Sequence, residues 1–313
     1  MKIFDSNLHH VTFSWNNHIK SNMKIDKHDI LKVEFIENTP IREITTYKTE
    51  GSIKGLFLPK TQKELIVAYS FLKENNLPFI VVGNGSNLLI SPKSNIFAIS
   101  TKKLRQNIQL NDNQATFSTS VPLAKAYSFL AKNGLKGFEE IAGIPATIGG
   151  AIKNNASAFG RSIFEFLESV KVFDKGQIKN LMKNDIAYSY HSTNLGDKLI
   201  LSATFKLKNE KPCQITQDFV FYQQLRASQQ PKGLSCGSVF RNPFLMSAGK
   251  LIEDCGLKGK SVGHAQISTK HANFIINHGD ATFNDIKALI ELCKNEVSER
   301  FDIDLATEVE IIE

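Results

Sequence analysis

Cysteine is scarce in this chain: Cys213, Cys236, Cys255 and Cys293 are the only four in 313 residues, with no CxxC pair and no metal-ligand spacing. That excludes a zinc module or a disulfide-built fold, calls for no metal, and fits thiols kept as small packing residues in a reducing cytosol. Long apolar runs are also missing. None approaches the length of a bilayer span, so no membrane role is expected. The start, Met1-Lys2-Ile3-Phe4-Asp5-Ser6-Asn7, lacks the apolar core of a secretion signal, and a cytoplasmic protein is expected. Charge of one sign is nowhere concentrated. Lys and Arg (38) exceed Asp and Glu (31) by +7, but the basic residues are scattered and even Lys102, Lys103 and Arg105 are interrupted. A nucleic-acid binder gathers such an excess into a stripe, so none is expected as a partner; a solvated basic surface, or attraction of a small anionic substrate, remains. Internal repeats and low-complexity segments are absent.

What is present is a long soluble chain, 42% hydrophobic and 22% charged, too large for one ordinary core. Residues 1–38 are polar and irregular and read as an extension. Thr61-Gln62-Lys63-Glu64 is a capping box opening a helix whose Leu65, Ala68, Phe71 and Leu72 share a face. Asn75-Asn76 ends it, and Pro78–Val82 reads as a buried strand. A second helix is predicted from about Pro122 to Asn133, with Gly134 past its end. Strands are predicted at Val170–Phe173 and Leu199–Leu207, and a helix near 215–228. The last long helix opens at Thr282-Phe283-Asn284-Asp285 and carries the stripe Ile286, Leu289, Ile290, Cys293, Val297; a strand from Glu308 to Ile312 closes the chain. The mixed order indicates an α+β protein with bodies at 39–207 and 208–313.

Two glycine-rich stretches stand out. Gly83-Asn84-Gly85-Ser86-Asn87 follows a strand and can aim consecutive N–H groups at an anion, or make an ordinary tight turn. It is not a dinucleotide fingerprint of the Rossmann type. Leu88 stands where the third glycine belongs, and no acidic residue ends a strand about 20 positions on. Gly143-Ile144-Pro145-Ala146-Thr147-Ile148-Gly149-Gly150-Ala151 is small, apolar and rigid, suited to a wall for a flat ring, with Asn154, Asn155 and Ala156 following. Further on, Gly237-Ser238-Val239-Phe240-Arg241-Asn242-Pro243 places a serine beside a glycine, a cation and an amide. It lacks the GxSxG spacing and identifiable His and Asp partners, so Ser238 is either a turn residue or a group that is not a triad nucleophile. His271, in Lys270-His271-Ala272-Asn273-Phe274, reads more readily as a satisfied core histidine than as a ligand. Alternation puts Glu308 and Glu310 on one face, able to do acid–base work if that face lines a cleft.

Taken in order, these motifs resemble the UDP-N-acetylenolpyruvoylglucosamine reductase family, in its shorter subtype. The matching segments are Thr45–Lys48, Gly83–Leu89, Gly143–Pro145, Gly149–Ala151, Gln230-Pro231, Gly237–Pro243, Gly256–Gly259, Lys270–Phe274 and Glu308-Val309, covering about Asn38 to the end. The resemblance implies an FAD-binding, vanillyl-alcohol-oxidase-type (PCMH-like) fold in two subdomains, followed by a C-terminal α+β substrate-binding domain. It implies FAD and NADPH as cofactors, a UDP-sugar enolpyruvyl ether as small-molecule substrate, a monomer, and a step of peptidoglycan precursor synthesis. Hydride would pass from flavin N5 to C3 and a proton from Ser238 to C2, with Glu308 supporting the enolate-like intermediate. On the cofactor side it implies Gly83, Asn84, Gly85, Ser86, Asn87, Gly143, Ile144, Pro145, Thr147, Gly149, Gly150, Asn155 and Ala156. On the substrate side it implies Tyr190, His191, Arg226, Arg241, Asn242, Lys258, Gln266 and His271.

The chain departs from the family pattern in places. Where the family carries Tyr-Arg-x-Ser, this chain reads Tyr190-His191-Ser192-Thr193, which puts His191 on the arginine; a match shifted by two puts Ser189 there. His191, Arg161 or Arg226 could stand in for that cation. Ala146 and Ser157 replace usual glycines, Glu50-Gly51-Ser52 stands for Gly-Gly-Pro, and Arg241 stands for a lysine. Two other readings keep the fold: a flavin oxidoreductase with another substrate, or a flavin-binding homologue without catalysis.

Overall fold

The computed structural model describes residues 27–244 and 246–313. The chain builds three bodies, each around its own apolar core. The first contains β1 (Glu34–Pro40), β2 (Ser52–Leu58), α1 (Gln62–Glu74), β3 (Phe79–Val82), β4 (Leu88–Ile90) and β5 (Phe97–Ser100). Its sheet runs β1-β2-β5-β3, antiparallel at the first pair and parallel at the others. The structured chain thus starts before the boundary expected at residue 38, because β1 pairs along β2. Residues 1–26 of the expected extension lie outside the described residues.

Helix α1 begins as its sequence requires. Thr61 Oγ1 accepts from Glu64 N at 3.2 Å, while the Glu64 carboxylate accepts from Lys60 N at 2.8 Å, one residue short of a reciprocal box. Leu65, Ala68 and Leu72 are fully buried against the sheet. Strand β3 departs from expectation. As an edge strand it buries only Val82, and Val81 is 42% exposed.

The second body holds β6 (Ile108–Asn111), β7 (Gln114–Ser118), α2 (Leu123–Lys132), α3 (Ile148–Lys153), β8 (Leu167–Asp174), β9 (Gln177–Met182), the hairpin β10 (Tyr188–Ser189) and β11 (Ser192–Thr193), β12 (Leu199–Lys206) and α4 (Pro212–Gln229). Its antiparallel sheet runs β9-β8-β12-β7-β6. Phe117, Phe138 and Phe205 pack within 6.3 Å of one another in its core. Helix α4 belongs here by packing: Ile215 is buried in this core and Phe219 stacks on Tyr127 at 4.1 Å. The break to the third body therefore falls after Gln229 rather than at residue 208.

The third body comprises α5 (Ala248–Asp254), β13 (Ser261–Val262), β14 (Ala265–Ile267), β15 (Ile275–Asn277), α6 (Phe283–Phe301) and β16 (Glu310–Ile312). Thr282 caps α6 in a full capping box with Asp285, at 3.0 and 2.9 Å, and the stripe Ile286, Leu289, Ile290, Cys293 and Val297 is buried as the spacing predicts. The chain then crosses back, and β16 pairs in parallel with β4 of the first body.

Candidate active site

A large cavity lies among the three bodies. From edge strand β3 the chain turns through Gly83–Asn87 into β4. Gly85 has φ +67°, and a Cβ there would lie 1.8 Å from Ile44 O, so the loop accepts only glycine. Thr46 N donates to Gly85 O at 3.0 Å and Asn84 Nδ2 to Pro145 O at 3.0 Å, tying the loop to both neighbouring walls. Opposite stands Gly143–Ala156. Part of this stretch, expected as a loop, is helical: α3 starts at Ile148, with Thr147 Oγ1 accepting from Gly150 N at 3.3 Å.

The cavity measures about 1780 Å³, against roughly 300–1,000 Å³ for an ordinary small-ligand site. It has room for a cofactor and a substrate together. Every residue named above for the cofactor, from Gly83–Asn87 and from Gly143 to Ala156, lines it. Its wall also contains polar atoms with nothing to bond. Among the described residues, Asn155 Oδ1 and Arg226 Nε and Nη2 are buried without a partner, and so is Gln223 Nε2, which packs against Gly143 but is not itself on the lining. A Cβ on Gly143 would touch Arg226 Nε at 2.6 Å and Gln223 Nε2 at 2.7 Å, so these donors crowd against the glycine wall. Arg226 Nη1 donates to Gln230 Oε1 at 2.9 Å, and the guanidinium lies 5.4 Å from the Phe159 ring centroid. Unpaired buried donors beside a glycine-lined wall fit a flat heterocycle rich in carbonyls, and the Gly83–Asn87 amides fit a pyrophosphate. The residues present therefore fit FAD. Gln223 belongs to none of the sequence motifs; its signal is its place one turn before Arg226 on the same helix face.

The second chemical group of the site comes from the third body. Asn273 clamps the Ser238 segment: Val239 N donates to Asn273 O (2.8 Å), Phe240 N to Asn273 Oδ1 (2.9 Å), and Asn273 Nδ2 back to Phe240 O (2.8 Å). On the other side Glu308 N donates to Val239 O at 2.7 Å and Arg241 N to Ala306 O at 2.9 Å. Ser238 and Glu308 are thus held on neighbouring stretches, and both line the cavity. The Ser238 hydroxyl has no hydrogen-bond partner among the described residues. Asn87 Nδ2 donates to Glu308 O at 3.0 Å and so links the acid to the Gly83–Asn87 loop. Glu308 sits just before β16, which is shorter than the strand expected from 308; Glu308 and Glu310 still both face the cavity. Burial pushes the Glu308 carboxyl up to about 7, against a smaller opposing pull from Arg241.

The β10–β11 hairpin brings Tyr190 and His191 to the same wall. Tyr190 OH accepts from Asn242 Nδ2 at 3.2 Å, and Asn242 Oδ1 accepts from Ala248 N at 3.0 Å. His191 Nδ1 lies 3.2 Å from Glu308 Oε1, while Ser189 O accepts from Asn155 Nδ2 at 2.8 Å. Of the substrate-side residues, Tyr190, His191, Arg226 and Asn242 line the cavity; Arg241, Lys258, Gln266 and His271 do not. Arg241 is close enough to bias Glu308 and His191 electrostatically. Lys258 is paired with Glu253 at 2.9 Å, and Gln266 Nε2 donates to Gly259 O at 3.1 Å. His271 Nδ1 accepts from Asn273 N at 3.2 Å and its ring lies against Gly249 of α5, the satisfied histidine of the alternative reading. Arg161, on the rim, is engaged by Glu165 at 2.6 Å.

Two β-rich bodies walling a FAD-sized cavity, closed by a third body that presents a serine and a carboxylic acid, define an FAD-dependent oxidoreductase. Residues 53–181 match a family profile described as FAD binding domain, and residues 229–312 match one described as UDP-N-acetylenolpyruvoylglucosamine reductase, C-terminal domain. The chain is 36% identical over 284 residues to the UDP-N-acetylenolpyruvoylglucosamine reductase of Lactobacillus acidophilus, covering 90% of this chain and 95% of that protein. It is 37% identical over 290 residues to the enzyme of the same name from Clostridium kluyveri, covering 91% and 95%. The crystal structure of the UDP-N-acetylenolpyruvylglucosamine reductase of Thermus caldophilus superposes with a TM-score of 0.77 at 30% identity, over 90% of this chain and 99% of that one. The chain belongs to the UDP-N-acetylenolpyruvoylglucosamine reductase family.

Proposed function

We propose that this protein reduces the enolpyruvyl ether of UDP-N-acetylglucosamine to UDP-N-acetylmuramate with FAD and NADPH, as a cytoplasmic monomer in peptidoglycan precursor synthesis. The observation that carries the reading is that Ser238 and Glu308 line the same cavity as the Gly83–Asn87 and Gly143–Ala156 walls. A bound flavin would supply the hydride, accepted from NADPH and passed to C3 of the enolpyruvyl group.

The chain's own residues do the rest. The Gly83–Asn87 amides and the lining residue Asn155 bind and orient the flavin, and Arg226, expected on the substrate side, carries unpaired donors on the same lining. Hydride addition drives negative charge toward the substrate carboxylate, and groups fixed before the reaction lower its energy at no reorganisation cost. Arg241 contributes a positive field there, and Glu308, which burial raises to about 7 and so keeps partly protonated at neutral pH, can share a proton with the developing enolate. Ser238, whose hydroxyl has no other partner, delivers the proton to C2. Tyr190 and Asn242, bonded to each other, hold the hairpin over the third body.

Anaerobic stopped-flow separates the steps. NADPH should bleach the protein-bound flavin, and the UDP-sugar should restore its colour. Ser238→Ala should slow only the second phase, by on the order of 10²- to 10⁴-fold, the usual worth of a positioned proton donor. Full-speed reoxidation in that variant removes Ser238 from the role. Reduced flavin left unchanged by the UDP-sugar in the wild type removes the substrate assignment.

A further inference from the structure

Besides the edge-on packing of its ring against Tyr190 at 4.2 Å, His191 makes a polar contact on each side of its ring. Nδ1 lies 3.2 Å from Glu308 Oε1, and Nε2 lies 3.2 Å from Ser157 Oγ. Both members of the first pair are shielded, His191 at 12% and Glu308 at 20% side-chain exposure. The residue occupies the second position of the two-residue turn between β10 and β11 with φ +49°, a left-handed conformation that a non-glycine residue adopts at a cost. The turn thus holds the ring edge-on between two bodies of the protein. Ser157 and His191 are also two positions where the sequence departs from the family pattern, glycine and arginine being usual, and here each is the other's partner.

A neutral imidazole donates from one nitrogen and accepts at the other, whereas an ionised carboxylate only accepts. The two contacts therefore allow a neutral pair, with Glu308 donating its acid O–H to Nδ1 and Nε2–H donating to Ser157; a charged pair with imidazolium and carboxylate; or an anionic pair, with Nδ1–H donating to the carboxylate and Nε2 accepting from Ser157 Oγ–H. The charged groups facing the pair decide between them. Arg241, from the Ser238–Asn242 segment, opposes an imidazolium and also favours an ionised Glu308, though less than burial opposes it, and Tyr190 beside it on the hairpin is neutral. Burial lowers His191 below its ordinary value and raises Glu308, both in favour of the neutral pair.

We propose that His191 is a positioning residue for Glu308: as the Nε2–H tautomer, anchored on Ser157 Oγ, it accepts at Nδ1 a hydrogen bond from the carboxylic O–H and keeps Glu308 an acid in the cavity wall. The proposal rests on the reductase reading for its catalytic consequence. An arginine at this position would neutralise the site at every working pH. The Ser157–His191–Glu308 chain does so only while it holds its one proton, so the site becomes anionic when that proton leaves.

The holoenzyme tests this. In anaerobic stopped-flow across pH, wild-type reoxidation by the UDP-sugar should fall on the alkaline side by about tenfold per pH unit, the slope for losing one proton. NADPH reduction of the flavin serves as the internal control. His191→Arg should abolish that limb, and His191→Asn, whose side chain reaches Glu308 but not Ser157, should weaken reoxidation. Ser157→Gly should slow reoxidation about threefold to tenfold, the worth of one hydrogen bond, but should add nothing in the His191→Asn background. An unchanged limb in His191→Arg, or additive effects of the 157 and 191 substitutions, overturns the proposal. A readout independent of turnover is the ¹⁵N spectrum of the histidines, assigned by His191→Asn. Below about pH 7, where Glu308 keeps its proton, His191 should carry its proton on Nε2 and stay unprotonated on Nδ1, even at the acid end of the range of about pH 5 to 8 in which free imidazoles titrate. An imidazolium at neutral pH, or the opposite tautomer, refutes it. If the wild type is not reoxidised by the UDP-sugar, the reductase reading falls while the spectrum still decides on His191.

Discussion

Gly85 and Gly237 both sit at positive φ, yet they make different demands on the sequence. At Gly237 (φ +75°) nothing lies within 4 Å of an added Cβ, so only the backbone conformation resists substitution. Gly237→Ala should cost about 1 kcal/mol and leave flavin bound. At Gly85 an added Cβ would also press on Ile44 O and Thr45 Cα. Gly85→Ala should force the loop to move, lower stability by several kcal/mol and expel flavin, which absorbance of the purified protein reads directly. Glu308 gives a prediction of opposite sign for stability and activity. Its carboxyl titrates at an ordinary 4.5 when the chain is unfolded and at about 7 when folded. The folded state therefore binds that proton more tightly, and its contribution falls as pH rises from about 4.5 to about 7, then stays level. A neutral amide in place of the carboxyl would carry no such dependence. Glu308→Gln should equal the wild type in thermal stability near pH 4 and exceed it by on the order of 2 kcal/mol above pH 7, while reoxidation by the UDP-sugar falls. Parallel stability–pH curves for the two proteins would remove the burial argument.

The elements differ in how far their sequence announces them. Helices α1, α2 and α6 are legible because their signals are local: a capping threonine before α1 and α6, Pro122 before α2, an apolar residue every three or four positions, and an asparagine at the end of α1 and α2. Strand β3 is legible as a strand but not as an exposed edge, since periodicity does not say which neighbour is missing. Helix α4 is legible as a helix, whereas the core it packs in is not; the burial of Ile215 and the stacking of Phe219 on Tyr127 place it with the second body. The glycine-rich motifs announce the cavity wall, whereas the meeting of Asn87 with Glu308 spans 221 positions and leaves no local trace. Strand β16 makes that meeting permanent. Glu310 N donates to Asn87 O at 3.0 Å and Ser91 N to Ile312 O at 2.7 Å, so the chain end stitches the acid to the Gly83–Asn87 loop. Deleting residues 310–313 should cost about 1 kcal/mol per lost backbone bond plus the packing of Ile311 and Ile312, and should weaken FAD binding. Thr282→Ala, which removes only the α6 cap, should cost about 1 kcal/mol and leave FAD affinity intact. A thermal melt and an FAD titration on each variant check the pair, and a deletion that leaves affinity unchanged contradicts the stitching role.

At the scale of the whole molecule, the cavity belongs to no single body. The Gly83–Asn87 wall rests on the first core, the Gly143–Ala156 wall on the second, and Ser238 and Glu308 on the third. The first two walls meet directly at few points, among them the Asn84–Pro145 bond and the contact of Gly83 with Thr147. A ligand that touches both walls at once can bind only when both bodies are folded and docked, so its binding energy adds in full to the stability of the assembly. Mass action sets the size: free FAD at 100 times its Kd stabilises by about 2.7 kcal/mol. For a chain of this length each kcal/mol raises the midpoint by about 2 °C or somewhat more. Protein stripped of flavin should therefore melt roughly 5 °C or more below the same protein with excess FAD, and the gap should widen by an equal step for each tenfold rise in FAD. FMN, which offers the ring without the adenylate half, should stabilise less, because it leaves part of the 1780 Å³ cavity unfilled. A melting temperature indifferent to FAD would mean that the two glycine-lined walls do not share one ligand.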